Sequence, residues 1–231
     1  WHEAGVRRWG FHGASHKFIA ERSAELLGRE DVADRARNLY IDDAGTKVQG
    51  PPFRVISCHL GGSSSITGIK DGTAIGNSMG LSPQSGLPHN NRVGDLDSMA
   101  VLHMMRRNNL SVDQVEQALC CDSGLKGLSG GHNDIRDIQT AADRGDTNSR
   151  LALDVFVNSA RHWIGAYFAQ LNGIDALVFT AGIGENRAAI RAEICANMDQ
   201  LGIQLDSSKN ASIEAEEAII SREDSSVKVL V

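Results

Sequence analysis

The run Ala176-Leu177-Val178-Phe179-Thr180 passes without a break into Ala181-Gly182-Ile183-Gly184-Glu185-Asn186. An apolar strand that turns through a glycine-rich corner straight into a helix commits the chain to α/β architecture. The corner also suits a ligand. Gly182 and Gly184 remove the Cβ atoms that would hold a flat group off the backbone, and a helix starting near Asn186 would aim its first N–H groups at the same place. A plain strand-to-helix turn needs glycine as well, so the corner alone does not decide between a nucleotide and no ligand. A second glycine-and-hydroxyl turn, His59-Leu60-Gly61-Gly62-Ser63-Ser64-Ser65, and the histidines of Gly10-Phe11-His12-Gly13-Ala14-Ser15-His16 weigh toward a ligand.

With 231 residues the chain has room for one large domain or two small ones. A net charge of −6 leaves no basic footprint and argues against a nucleic-acid partner. No apolar run approaches the ~20 residues that span a bilayer, so no membrane partner is expected. The opening Trp1-His2-Glu3, soon followed by Arg7-Arg8, lacks signal-peptide architecture, and a start at Trp1 instead of Met points to a processed or truncated fragment. Cys58, Cys120, Cys121 and Cys195 show no C-x-x-C spacing and no metal pattern; buried, reduced thiols in a cytoplasmic protein are the simplest reading.

Apolar spacing predicts a helix over Phe18–Leu27, closed by Gly28. The stretch from Arg29 to Pro52 is polar and reads as a surface insertion (residues 29–54), with a turn at Asp42–Gly45 and a short strand at Asn38–Ile41. Val55–Leu60 reads as a buried strand. Ser64–Ile69 and Thr73–Ser78 are strands joined by the tight turn Lys70-Asp71-Gly72, which completes an antiparallel meander. Helices follow over Asp95–Arg107 and from Ser111, where Ser111-Val112-Asp113-Gln114 has capping-box form. After a glycine-rich loop, Ser123–Asn133, helices are expected at Asp134–Arg144 and Thr147–Leu171, then the strand at Ala176–Thr180 and a helix over Asn186–Met198. The chain ends in a β-like run at Val227–Val231. Three meandering strands followed by strands alternating with helices make a mixed-sheet α/β domain of the ribonuclease-H-like pattern. No repeat or linker is visible, and a single domain over 1–231 is expected.

Arg8-Trp9-Gly10-Phe11-His12-Gly13-Ala14-Ser15-His16 resembles the acetate kinase signature R-Y-G-F-H-G-T-S-H. Further segments match the family in the same order: His59 to Ser65, Ser78-Met79-Gly80-Leu81-Ser82-Pro83, Arg92-Val93-Gly94-Asp95-Leu96-Asp97, and Phe179 to Asn186. The resemblance implies the actin-like ATPase superfamily, with two ribonuclease-H-like lobes and ATP in the cleft between them. It further implies an ATP-dependent, reversible phosphotransferase making acetyl phosphate and ADP from acetate and ATP.

The resemblance assigns roles position by position. His12 matches the histidine that offers a donor to the equatorial oxygens of the moving phosphoryl group, while His16 reads as structural. Arg92 matches the arginine that holds acetate and stabilises the transferring group, using a planar fork that lysine cannot copy. Phe11 and Pro83 match the apolar pocket for the substrate methyl. His59, Gly61, Gly62 and Ser63 fall in the second phosphate loop, whose usual form is H-L-G-N-G-x-S; here Asn-Gly has become Gly62-Ser63. The usual M-G-T-R is replaced by His89-Asn90-Asn91-Arg92, which bears on substrate geometry and on the preferred acid. Asp134, Ile135 and Arg136, from the S-D-x-R-D segment, complete a nucleoside site with Gly182, Ile183, Gly184 and Asn186.

Acetate kinases also have an N-terminal N-x-G-S-S-S-x-K segment and a C-terminal T-N-E-E motif with a metal-organising glutamate; neither occurs here. The chain therefore corresponds to the second, nucleotide-binding lobe, with ATP/ADP and Mg²⁺ as expected cofactors, the residues that organise Mg²⁺ outside it, and little turnover expected from it in isolation. A homodimer is implied, since the family's second lobes pair across a two-fold axis. Two alternatives stay open: a kinase for propionate or butyrate, because one methylene is worth only ~1–3 kcal/mol in such a pocket, and a non-catalytic nucleotide-binding or dimerisation module.

Overall fold

The computed structural model describes residues 1–39, 47–213 and 215–231. In chain order the first elements are helices α1 (Gly13–Leu26) and α2 (Glu30–Asn38) and strands β1 (Arg54–His59), β2 (Ser65–Lys70) and β3 (Thr73–Asn77). Helices α3 (Ser98–Asn108), α4 (Val112–Cys121), α5 (Gly124–Leu128), α6 (Ile135–Asp143) and α7 (Thr147–Leu171) follow. The chain closes with β4 (Ala176–Thr180), α8 (Ala181–Asn186), α9 (Ala188–Cys195), α10 (Ser207–Ser212) and β5 (Lys228–Leu230). Contacts gather into two units, each discontinuous in sequence. The first comprises residues 1–9, 62–64 and 78–160, and the second residues 10–61, 65–77 and 161–231. No single stretch of chain separates them, which is why no Pro/Gly/Ser-rich linker marks the division where the sequence alone reads as one domain.

The second unit is built on a five-stranded sheet in the order β3-β2-β1-β4-β5. The meander pairs antiparallel, β1 with β2 and β2 with β3, while β4 and β5 join parallel. This is the mixed, ribonuclease-H-like sheet that the strand pattern predicts. Its core joins Ile19, Ala20 and Ala24 of α1 and Val32, Ala33 and Ala36 of α2 to Phe53, Val55, Ile69, Ala176, Val178 and Leu230. The alanines let both helices lie close to the strands, and each fully buried Ile, Val or Leu adds ~1.5–3 kcal/mol. Because β1 and β4 run parallel in register, His59 lies opposite Thr180 and the two strands end together. The Leu60 amide then donates to the Thr180 carbonyl at 2.9 Å.

The polar stretch after Arg29 contains a helix, not an irregular surface segment, with three residues of α2 in the core. The turn expected at Asp42–Gly45 lies outside the described residues, as does half of the expected strand at 38–41, whose first residue, Asn38, ends α2. Helix α1 also begins five residues earlier than the apolar spacing predicts, directly after His12.

The first unit is helical. Asp97 caps α3 by accepting the Met99 amide at 2.9 Å. Ser111 and Gln114 form the predicted capping box on α4, with bonds of 3.2 and 2.9 Å. The glycine-rich segment after Ser123 is not wholly a loop, since residues 124–128 make one short helix, α5. Ile135 and Ile138 anchor α6, and Leu153, Phe156 and Val157 anchor the part of α7 that belongs to this unit.

Candidate functional site

The second unit brings three histidines together. His12 sits at the N-terminal boundary of α1 with φ 55° and ψ 33°, a left-handed conformation that costs a non-glycine residue about 1 kcal/mol or more. One turn later, His16 is buried on the same helix. Across the sheet, β1 places Ser57 and His59 two residues apart, hence on one face, and β2 sets Ser65 opposite His59. The rings of His12 and His59 stack with centroids 3.9 Å apart and planes 17° from parallel.

Hydroxyls fix all three rings. His59 Nδ1 meets Ser15 Oγ at 2.9 Å. Ser65 Oγ lies 2.8 Å from both His12 Nδ1 and His16 Nε2, and His16 Nδ1 lies 2.8 Å from Ser57 Oγ. Two proton arrangements satisfy this chain from Ser57 to His12. In the outward one, the Ser57 hydroxyl donates to His16, His16 donates to Ser65, and Ser65 donates to His12 Nδ1, so His12 Nε2 holds a proton that can be offered to an oxyanion. His16 is held neutral: burial first, then the charges of His59 and His12, push its pKa down to about 3. Burial also lowers the pKa of His59, with Glu185 acting the other way.

The strand-to-helix corner belongs to the same unit and departs from the sequence reading in one respect. The helix begins at Ala181, not near Asn186, and breaks at Arg187 before α9. Its leading N–H groups do not all face outward. Those of Ile183 and Gly184 donate to the Leu60 carbonyl at 2.8 and 3.1 Å, and that of Ala181 to the Glu185 carboxylate at 2.8 Å. A Cβ on Gly184 would stand 3.3 Å from the Phe179 carbonyl carbon, so this glycine serves close packing on the strand. Gly182 does face open space, with nothing within 4 Å of where its Cβ would be. Asn186 donates to the Gly182 carbonyl at 3.0 Å. Phe11, in the same unit, lines a cavity of about 250 Å³ with His16, Lys17, Ala20, Ile69 and Asn77.

The first unit holds Gly62, Ser63, Pro83, Arg92, Asp134, Ile135 and Arg136. Arg8 donates to the carbonyls of Ser78 and Met79 at 3.2 and 2.9 Å, which joins the first sequence motif to the third. Arg92 is half-buried and donates from Nη1 to the Pro83 carbonyl at 2.7 Å, fixing one edge of its fork. Burial lowers the Arg92 pKa, partly offset by Cys120. The segment before it is seated by α5: Ser123, Leu125 and Lys126 N–H groups donate to the carbonyls of Asn91, His89 and Asn90 at 3.1, 2.8 and 2.8 Å. His89 is fully buried and its Nδ1 accepts the Ser64 amide at 3.0 Å. Asp134 caps α6, accepting the Arg136 amide at 2.8 Å and pairing with its guanidinium at 2.6 Å. Ile135 is buried beside this exposed pair.

The sequence groups His59 with the phosphate loop and does not declare its stack on His12. Nor does it declare Ser15, Ser57 and Ser65 as the polar scaffold. The two-residue spacing of Ser57 and His59 on one strand face was the available signal. Among the described residues, no group of three or more His, Cys, Asp or Glu could hold a metal ion, and no helix is long and apolar enough to cross a membrane.

The Acetokinase family model matches residues 1–231. The acetate kinase of Treponema denticola is 43% identical over 226 residues, covering 98% of this chain and 52% of that protein. Among solved structures, the acetate kinase of Porphyromonas gingivalis superposes with a TM-score of 0.88 at 33% identity, over 100% of this chain and 53% of that one. A propionate kinase from Francisella tularensis superposes with a TM-score of 0.84 at 33% identity and the same coverage. The chain spans about half the length of the curated relatives it matches.

Proposed function

The chain belongs to the acetokinase family, and on that premise we propose that it is the nucleotide-binding lobe of an ATP-dependent phosphotransferase that makes acetyl phosphate and ADP from acetate and ATP, reversibly. A carboxylate oxygen attacks the γ-phosphorus, the bond from that phosphorus to the β–γ bridging oxygen breaks, and ADP leaves. The observation that supports this reading most is the His12–His59 stack. Two imidazoles are oriented by hydroxyls before any ligand arrives, so little reorganisation accompanies charge development on the moving phosphoryl group.

In this reading His12 donates from Nε2 to an equatorial oxygen of that group. His59, Gly61, Gly62 and Ser63 hold the nucleotide's phosphates. Arg92 takes the acid's carboxylate and offsets transition-state charge, while Phe11 and Pro83 receive its methyl. Asp134, Ile135, Arg136, Gly182, Ile183, Gly184 and Asn186 hold the nucleoside. Given the engaged amides of α8, the corner contributes through the open face at Gly182 and the Asn186 side chain more than through a row of N–H donors. ATP is taken as its Mg²⁺ complex, with the residues that organise the ion outside this chain; no step is assigned to it. A cytoplasmic homodimer is part of the proposal, and the apolar side chains Met99, Leu102 and Met104 left exposed on α3 support it.

A second reading, a kinase for propionate or a longer acid, is favoured by the altered His89-Asn90-Asn91 run before Arg92 and by the likeness to a propionate kinase. Measuring kcat/KM for acetate, propionate and butyrate in an acyl phosphate assay, on the two-lobe protein that contains this lobe, tests both. A preference for acetate is expected; no acid-dependent consumption of ATP with any of the three would refute the proposal.

A further inference from the structure

Gly62 and Asn90 lie against each other in the first unit. The Asn90 amide donates to the Gly62 carbonyl at 3.2 Å. A Cβ built on Gly62 would stand 3.2 Å from Asn90 Nδ2 and 3.7 Å from its Cγ. The Asn90 carboxamide therefore holds the space into which a side chain at position 62 would grow. Gly62 is exposed and Asn90 half-buried, so the carboxamide lies beside a turn that solvent reaches.

The carboxamide is also held in a fixed place. Asn90's backbone N–H is engaged by Gly62 and its carbonyl by Lys126, and the carbonyls on either side are engaged by Leu125 and Ser123. Both backbone groups are used inside the protein, so the side chain is what this residue can offer to a ligand, and it does so from a pre-organised backbone. The resemblance supplies a second, independent pointer. Its phosphate-loop pattern has asparagine where Gly62 stands, and its M-G-T-R pattern has glycine where Asn90 stands. Two positions in contact have exchanged asparagine for glycine, which keeps one carboxamide in one small volume while changing the strand of chain that delivers it.

We propose that Asn90 is a phosphate-binding residue: its Nδ2 donates to a terminal phosphate oxygen of the nucleoside polyphosphate held at the turn Gly62-Ser63-Ser64. This rests on the reading of that turn as a phosphate site. Loss of one charge-assisted donor predicts that Asn90→Ala lowers kcat/KM for ATP about ten- to a hundredfold. Asn90→Asp keeps the shape but sets a carboxylate against phosphate, so it falls further still. A merely structural Asn90 would instead tolerate the isosteric aspartate.

The test measures acyl phosphate formation by the two-lobe protein that contains this lobe, by both variants and by Ser63→Glu, at equal folded fraction from circular-dichroism melts. Ser63→Glu places a negative charge in the turn and abolishes activity if the turn binds phosphate. Either Asn90 variant within about twofold of the parent kcat/KM overturns the proposal. If Ser63→Glu is then inactive, the phosphate reading of the turn survives alone. If Ser63→Glu is as active as the parent, both ideas fall together.

Discussion

His12 and His59 stack face to face at 3.9 Å, one from the start of a helix and the other from the last position of a strand. Two protonated imidazoles at that separation would repel, so the stack itself disfavours double protonation. Each ring is tethered through Nδ1 to a serine hydroxyl, Ser65 for His12 and Ser15 for His59. The pair is therefore positioned by three segments of chain that meet only in the folded unit.

If His12 donates to the moving phosphoryl group as proposed, His12→Ala in the two-lobe protein lowers kcat by about a hundredfold or more, the usual consequence of removing one pre-organised donor to transition-state charge. KM for ATP should change far less. Steady-state kinetics at saturating acetate check this, and an unchanged kcat would remove His12 from the chemistry.

Ser65→Ala should be a milder lesion with a distinct signature. It removes the hydroxyl that His12 and His16 share, so His12 keeps its ring but loses the hydroxyl that orients it. A fall in kcat of about tenfold is expected, while Ser65→Thr, which retains the hydroxyl, should recover most of it. Equal loss in both variants would point to packing and not to proton placement.

His16 makes stability depend on pH in a definite direction. Its pKa falls from 6.5 to about 3 on folding, so between those values the unfolded chain binds more protons than the folded one. Stability from this group is complete above pH 6.5 and is lost progressively as pH falls toward 3, by an amount on the order of a few kcal/mol. Urea titrations from pH 7 down to 4 should show a declining midpoint, and His16→Gln should flatten that decline. A parent curve no steeper than the variant's would contradict a buried neutral His16.

Much of this was legible in the amino-acid sequence, and the misses have identifiable causes. The hairpin at Lys70-Asp71-Gly72, the strand Ala176–Thr180 and the long helix Thr147–Leu171 declare themselves through turn chemistry and periodicity. Helix α2 does not. Its sequence, Glu-Asp-Val-Ala-Asp-Arg-Ala-Arg-Asn, is mostly charged, and the residues it buries are one valine and two alanines. Helix α1 hides its start because His12 takes a left-handed conformation where a capping Ser or Asp would be the signal. Motif resemblance singled out His12 and Arg92 individually as candidates. The His12–His59 stack and the Gly62–Asn90 contact needed coordinates, since nothing local joins residues so far apart in the chain.

Arg191 should be among the least replaceable residues of the second unit. It is fully buried, donating to the carbonyls of Gly184 and Glu185 at 2.8 and 2.7 Å and to both oxygens of Asn210 at 2.8 and 2.9 Å. It thus satisfies carbonyls at the C-terminal end of α8 and ties that corner to α10. Arg191→Met leaves those oxygens buried without donors, and a loss of about 3 kcal/mol is expected. Arg191→Lys should recover little of it, because one ammonium cannot span acceptors arranged for a fork. Thermal melts of the two variants check this, and a lysine variant as stable as the parent would show that charge alone suffices.

The exchanged pair Gly62 and Asn90 lends itself to a double-mutant cycle. Gly62→Asn alone forces a new side chain into space already held by the Asn90 carboxamide, whose Nδ2 would sit 3.2 Å from the new Cβ. That crowding should cost about 1–3 kcal/mol in stability and lower activity as well. Asn90→Gly alone leaves the turn without its carboxamide and, in addition, loosens the chain before Arg92. Combined, the two substitutions return one carboxamide to the same volume from the other segment. The double variant should therefore be more active than either single variant, with a coupling of about 1–3 kcal/mol. Strict additivity of the two effects on kcat/KM for ATP would mean that the residues touch without sharing a task, and that the carboxamide's position has no bearing on phosphate.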